Sequence, residues 1–235
     1  MRVSLRVLFI VVTLLASVIA IAANRYRVRH AALAIIARDD AVVEFKEDDR
    51  PLILPVELSR AVRRLEFRGT RLDEETLWAI AQLNEVSEIS VINSNVGVRE
   101  CKTLSQLSSL TVVSFFGTHI EDGAIAELVK CPNMTSLCLS FSSATDADCG
   151  RLADCKSLSR IELNGTAVTD AGLISIARLP CLSVVCISEG PISQQGIGEL
   201  LSRRALTALH CFGDDFRDEW WAGIRERYPK CRIHR

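Results

Sequence analysis

Thiols and imidazoles are the side chains in this sequence most able to do chemistry unaided, and Cys186 and His210 are the pair to weigh first. The chain holds nine cysteines and four histidines. A cysteine beside a histidine makes a nucleophile when the imidazole takes the thiol proton. Such a site also needs a group to orient the imidazole and donors for an oxyanion, and neither is evident around this pair. Counting in steps of 24, the same column reads Glu66, Ser90, Ser114, Cys138, Glu162, Cys186, His210. That is a polar column rather than a triad. A thiol-dependent enzyme using Cys186 and His210 is therefore the least favoured reading, and no catalysis is expected. There is no C-x-x-C and no spacing that suits a metal, so neither metal nor cofactor is expected. With 28 basic and 29 acidic residues the chain lacks the clustered positive face that nucleic acid requires.

The elements that must position these residues follow from a repeat. Leu158, Ile161, Leu163, Val168, Leu173 and Ile176 recur as apolar positions at every step of 24, in units that start at 62, 86, 110, 134, 158, 182 and 206, and Leu179 does so in the first five. Within a unit, Ile161 and Leu163 are two apart and share one face of a short strand. Leu173, Ile176 and Leu179 are three apart, the buried stripe of a short helix. Thr169 and Asp170 between them offer oxygens to cap that helix. One strand–turn–helix unit cannot bury its own apolar face, so neighbours must stack and share a core. The expected fold is an α/β leucine-rich-repeat solenoid, curved, with parallel strands on the concave face and short helices on the convex face.

Most cysteines fit this register as small buried hydrophobes. Cys101 and Cys149 fall in the first helix column, Cys131 and Cys155 in the last, and Cys211 on a strand's core side. Cys138 and Cys186 follow core residues and are expected to face outward, two units apart and too far for a disulfide. Exposed unpaired thiols favour a reducing compartment and hence a cytoplasmic solenoid.

Residues 7–23 carry no charge, and Arg25, Arg27, Arg29 and His30 follow. This is expected to be one N-terminal transmembrane helix, a single-pass anchor within residues 1–30. Basic residues are nearly balanced on its two sides, so charge leaves the side of the membrane open. The alternative is a signal peptide cleaved after the small-x-small Ala20-Ile21-Ala22, which would release a secreted or periplasmic structural module. Residues 31–61 are expected to cap the solenoid with a helix to Arg38, a strand over 41–45, a turn at 47–51 and a lead-in through 52–55 and Leu58. Residues 62–235 form the seven units, with a C-terminal cap from about 217 that holds Trp221, Ile224 and Tyr228 as a helical stripe and a last strand near 231–233.

The tract from Leu158 to Leu179, with its Thr-Asp-Ala-Gly-Leu, resembles the repeats of bacterial membrane-anchored leucine-rich-repeat proteins of the planctomycete type. The resemblance implies an anchor followed by a solenoid that serves as a protein-binding scaffold, and it transfers no functional residue. The second unit departs from it at Gly97-Val98-Arg99-Glu100 and the sixth at Pro191 and Ser193-Gln194, so those helices are expected to start differently.

A binding face should lie on the strands. Ile92, Val112 and Phe116 are apolar at outward positions of adjacent units. Arg64 and Arg68 flank them on one side, Ser136 and Ser140 on the other, and Phe212 is apolar further along. An apolar centre with a polar rim is the make-up of a protein interface. The partner expected is a protein, unidentified, with no nucleic acid.

Overall fold

The computed structural model describes residues 5–45, 61–212 and 218–234, with side chains from Thr13 onward and none for Phe212. The expected turn at 47–51, the lead-in at 52–58 and Phe216 of the last unit lie outside the described residues.

Eight strands of the main sheet run parallel. The strands β2 (Val62–Arg68), β3 (Glu88–Ile92), β5 (Val112–Phe116), β7 (Ser136–Cys138), β8 (Arg160–Glu162), β9 (Val184–Ser188), β10 (Ala208–Phe212) and β11 (Arg232–His234) follow one another across it. Each residue pairs with the one 24 further on: Leu65 with Ile89, Ile89 with Val113, Val113 with Leu137, Leu137 with Ile161 and Ile161 with Val185. A helix follows each of the first seven of these strands: α2 (Glu74–Gln82), α3 (Val98–Ser105), α4 (Ala124–Leu128), α5 (Asp146–Leu152), α6 (Asp170–Ile176), α7 (Gln194–Arg203) and α8 (Asp218–Arg227). Two further short strands, β4 (Asn95–Val96) and β6 (His119–Ile120), pair beyond the sheet edge. The stacked strand–helix units form a solenoid with one continuous core of strand and helix residues, Leu163, Leu173 and Ile176 among them, wholly buried.

The two edges of the solenoid are joined differently. Where strands begin, a serine or threonine stands in every unit from the second on. The hydroxyl of Thr111 donates to the Ser87 carbonyl at 3.1 Å, Ser159 to Thr135 at 3.0 Å, Ser183 to Ser159 at 3.1 Å and Thr207 to Ser183 at 3.0 Å. Each such hydroxyl ties its unit to the one before it. Where strands end, the residues at 69, 93, 117, 141, 165 and 189 all take the left-handed conformation, with φ between 51° and 63°. The amide of Gly69 donates there to the Ile92 carbonyl and that of Phe141 to Asn164.

Helix starts keep the hydroxyl residue of the sequence pattern at Thr145, Thr169 and Ser193, while Gly97 and Gly123 stand at the N-caps of the second and third units. The Thr169 hydroxyl accepts from Ala171 N at 3.2 Å and caps α6. In the second unit Gly97 has no oxygen to offer, and the Glu100 carboxylate accepts from the Gly97 amide instead at 3.0 Å. In the sixth, Ser193 caps α7 by accepting from Gly196 N at 3.2 Å.

The N-terminal end is covered by a single helix, α1 (Leu5–Arg38), and by β1 (Val42–Phe45), which runs antiparallel to β2. Ala32 and Ile36 are fully buried against the first unit. Arg29 pairs with Glu85, while Arg38 reaches Glu75 at 2.6 Å and Asp73 at 3.2 Å. The transmembrane expectation is not supported: among the described residues no helix is long and apolar enough to cross a membrane. At the far end Trp221 and Ile224 are buried, and β11 closes the sheet beside β10.

Candidate functional site: the strand-end edge

The expected apolar cluster is divided by the strand itself. Ile92 and Phe116 are paired at the ends of β3 and β5, but Val112 sits at the start of β5 between Glu88 and Ser136. Val112 and Phe116 are four residue steps apart along the strand, about 13 Å. Phe212 ends β10 opposite Ser188, four strand spacings from Phe116, or about 19 Å. Neither joins the cluster. Ser140, expected on its rim, is buried because β7 stops at Cys138 and the chain turns inward. Its hydroxyl accepts from the Asn164 amide at 3.1 Å, and Asn164 accepts in turn from the Ser188 hydroxyl at 3.1 Å.

What Phe116 does meet is Phe141, which lies outside the residues expected at the site. Their rings lie 5.2 Å apart at 58°, the tilted geometry that aromatic quadrupoles favour. Phe116 is 40% exposed and Phe141 46%. Phe141 has φ 58°, a conformation that crowds any Cβ and is rare for a bulky residue. Its equivalents are Gly69, Gly117 and Gly165 in the odd units and Asn93 and Glu189 in the even ones. The alternation has a steric cause. A Cβ on Gly165 would fall 2.5 Å from Phe141 Cδ1, and one on Gly117 would fall 2.2 Å from Asn93 Oδ1. A side chain in one unit lies over the next unit's α-carbon, which must then be bare. The signal was present in the sequence as a phenylalanine standing where glycine precedes threonine in the neighbouring units.

Arg64 and Arg68 hold a carboxylate between them. Arg64 Nη2 and Arg68 Nε each donate to Glu66 at 2.6 Å, and Glu66 is buried. Arg68 pairs in register with Ile92 and remains largely exposed, so it borders the apolar edge as expected.

The Cys186–His210 pair is adjacent in register, as the repeat requires. Cys186, however, is buried rather than outward, with Arg160 Nη2 donating to its sulfur at 3.5 Å. Burial pushes its thiol up to about 11, with the nearby Glu162 carboxylate acting in the same direction and Arg160 opposing it. A nucleophilic cysteine needs the opposite shift. His210 is itself lowered by burial and by His234, whose ring stacks on it at 4.6 Å. Cys138 is half-buried, and Cys181 is the exposed thiol among the nine. Among the described residues no group of three or more His, Cys, Asp or Glu is arranged to hold a metal.

No family model and no curated protein matches this chain. Solved structures similar to it include internalin C2 of Listeria monocytogenes, 21% identical over 57% of this chain and 55% of that one, with a TM-score of 0.44. Leiomodin-1 actin-binding site 2 is 10% identical over 57% of this chain and 86% of that one, at 0.40. A plant peptide hormone receptor is 14% identical over 56% and 25%, at 0.35. The chain spans about half the length of internalin C2.

Proposed function

We propose that this protein is a binding module for another protein, held at a membrane through α1, and that its partner docks at the strand-end edge around Phe116 and Phe141. The observation that carries the reading is Phe141, an exposed aromatic kept at a position where glycine is favoured sterically and where neighbouring units have it. Backbone strain that a simple substitution would relieve marks sites kept for something other than stability. Aromatic residues, phenylalanine among them, are also enriched at protein interfaces. Ile92 and Arg68 complete the edge on one side, while Arg64, Val112 and Phe212 belong to the wider concave face.

The test is a pull-down from membrane and cytosolic fractions with the full chain as bait, beside Phe116→Ser with Ile92→Ser, and Phe141→Gly. A protein retained by the parent and lost from both variants supports the reading. Identical retention by all three baits would rule out this edge as the binding site.

A further inference from the structure

The direction of α1 relative to the repeats gives the solenoid a definite stance. Arg38 meets Asp73 and Glu75 at the start of α2, and Arg29 meets Glu85 just beyond its end. Helix α1 therefore runs antiparallel to α2, along the strands and across the stacking direction. Its first half projects past the edge where helices turn back into strands. Leu14, Leu15, Val18 and Ile19 on that half are 56–66% exposed. They share one side of the helix, an arc of about 140° at 3.6 residues per turn, with Thr13, Ala16, Ser17 and Ala20 on the other side. Ser17 turns its hydroxyl inward onto the Thr13 carbonyl at 2.9 Å, as a polar group in hydrocarbon must.

The two edges of the solenoid also differ in charge. The helix-to-strand loops carry Lys130, Lys156, Arg178, Arg204 and Lys230 against Glu85 and Asp154, and Glu85 is already engaged by Arg29. Arg25 and Arg27 stand exposed at the same level on α1. A hollow of about 510 Å³ lined by Asn24, Arg25, Gln82 and Asn84 opens where the projecting helix leaves the first unit. The opposite edge holds Asp73, Glu100, Glu121, Asp122, Asp146 and Asp170 against Arg71 and Arg99.

We infer that the uncharged half of α1 enters an anionic lipid bilayer and that the solenoid lies with its stacking axis along the membrane plane, the basic helix-to-strand loops against the headgroups. Apolar burial and attraction to anionic lipid add in such an attachment. The Phe116–Phe141 edge then faces away from the membrane and is open to a partner. This rests on the membrane attachment proposed above and extends it to an orientation.

The experiment uses the full chain with vesicles of phosphatidylcholine, with and without phosphatidylserine. Cys181 on the loop edge carries a fluorophore, and Asp122→Cys in a Cys181→Ser background places one on the opposite edge. Flotation should be stronger with phosphatidylserine and should weaken with salt. Headgroup-borne quenchers should remove most of the Cys181 emission and leave the residue 122 probe nearly unchanged. Absence of flotation, with oligomers of the chain in its place, would overturn the membrane attachment as a whole. Equal flotation on both lipids would remove the basic edge from the account. Flotation with equal quenching at the two probes would leave the attachment standing and overturn the orientation.

Discussion

The two edges of this solenoid obey different rules. At the strand-start edge every unit after the first offers a hydroxyl to the carbonyl of the unit before it, and the residue is serine or threonine each time. At the strand-end edge the backbone is equally regular, yet the residues alternate between glycine and a side chain that fills the space above the next glycine. The first edge repeats because the same carbonyl, which already accepts from two backbone amides of the next unit, also takes that unit's hydroxyl each time. The second varies because the backbone needs only a left-handed residue, which leaves the side chain open to other uses. Local rules broken at a cost are where function is to be sought.

The sharpest control for this comparison is the core that both edges share. Leu163→Ala should cost about 2–5 kcal/mol in urea denaturation, as for a wholly buried leucine. A smaller loss would mean that the 24-residue register does not define the core. Next comes Gly165→Ala, expected to cost about 1–3 kcal/mol from its positive φ and from the clash with Phe141. Part of that cost should vanish in a Phe141→Gly background, because one of the two causes is then gone. Strict additivity of the two changes would break the alternation rule.

At Phe141 itself, glycine should be tolerated better than alanine by about 1 kcal/mol, the reverse of the usual order, because φ is positive. Thermal melts in which alanine equals or exceeds glycine would remove the claim of strain. At the other edge Thr111→Val should cost about 0.5–1.5 kcal/mol, the worth of one hydrogen bond. The same small loss is expected from Thr207→Val, since that edge is uniform.

The smallest effect concerns the thiols. Maleimide should label Cys181 faster than Cys186 at neutral pH, since burial holds the Cys186 thiol protonated. The folded state favours the neutral thiol of Cys186, and of Cys149, which burial pushes to about 12. Their contribution to stability is present below an unfolded thiol's value of about 8.5 and is lost as pH rises from there towards the folded values. A melting temperature flat from pH 8 to 10.5 would count against those shifts.

The period, the core faces, the strand and helix of each unit and the buried cysteines of the helix columns were all legible in the sequence. They depend on apolar spacing, and apolar burial responds to position rather than to exact partners. The hydroxyl ladder could have been read from the same register, since serine or threonine recurs at 87, 111, 135, 159, 183 and 207. Three things required the tertiary structure. Phe141 meets Phe116 because the chain turns left-handed at one point in each unit, and a ring there reaches sideways across units. Cys186 is buried although its strand position is outward, because Arg160 from the neighbouring strand reaches its sulfur on the concave face. The direction of α1 depends on ion pairs between residues more than thirty positions apart, and no local pattern encodes which edge the helix leaves. Sequence periodicity determines which side of an element faces the core. What happens on the other side depends on neighbours brought together only by stacking.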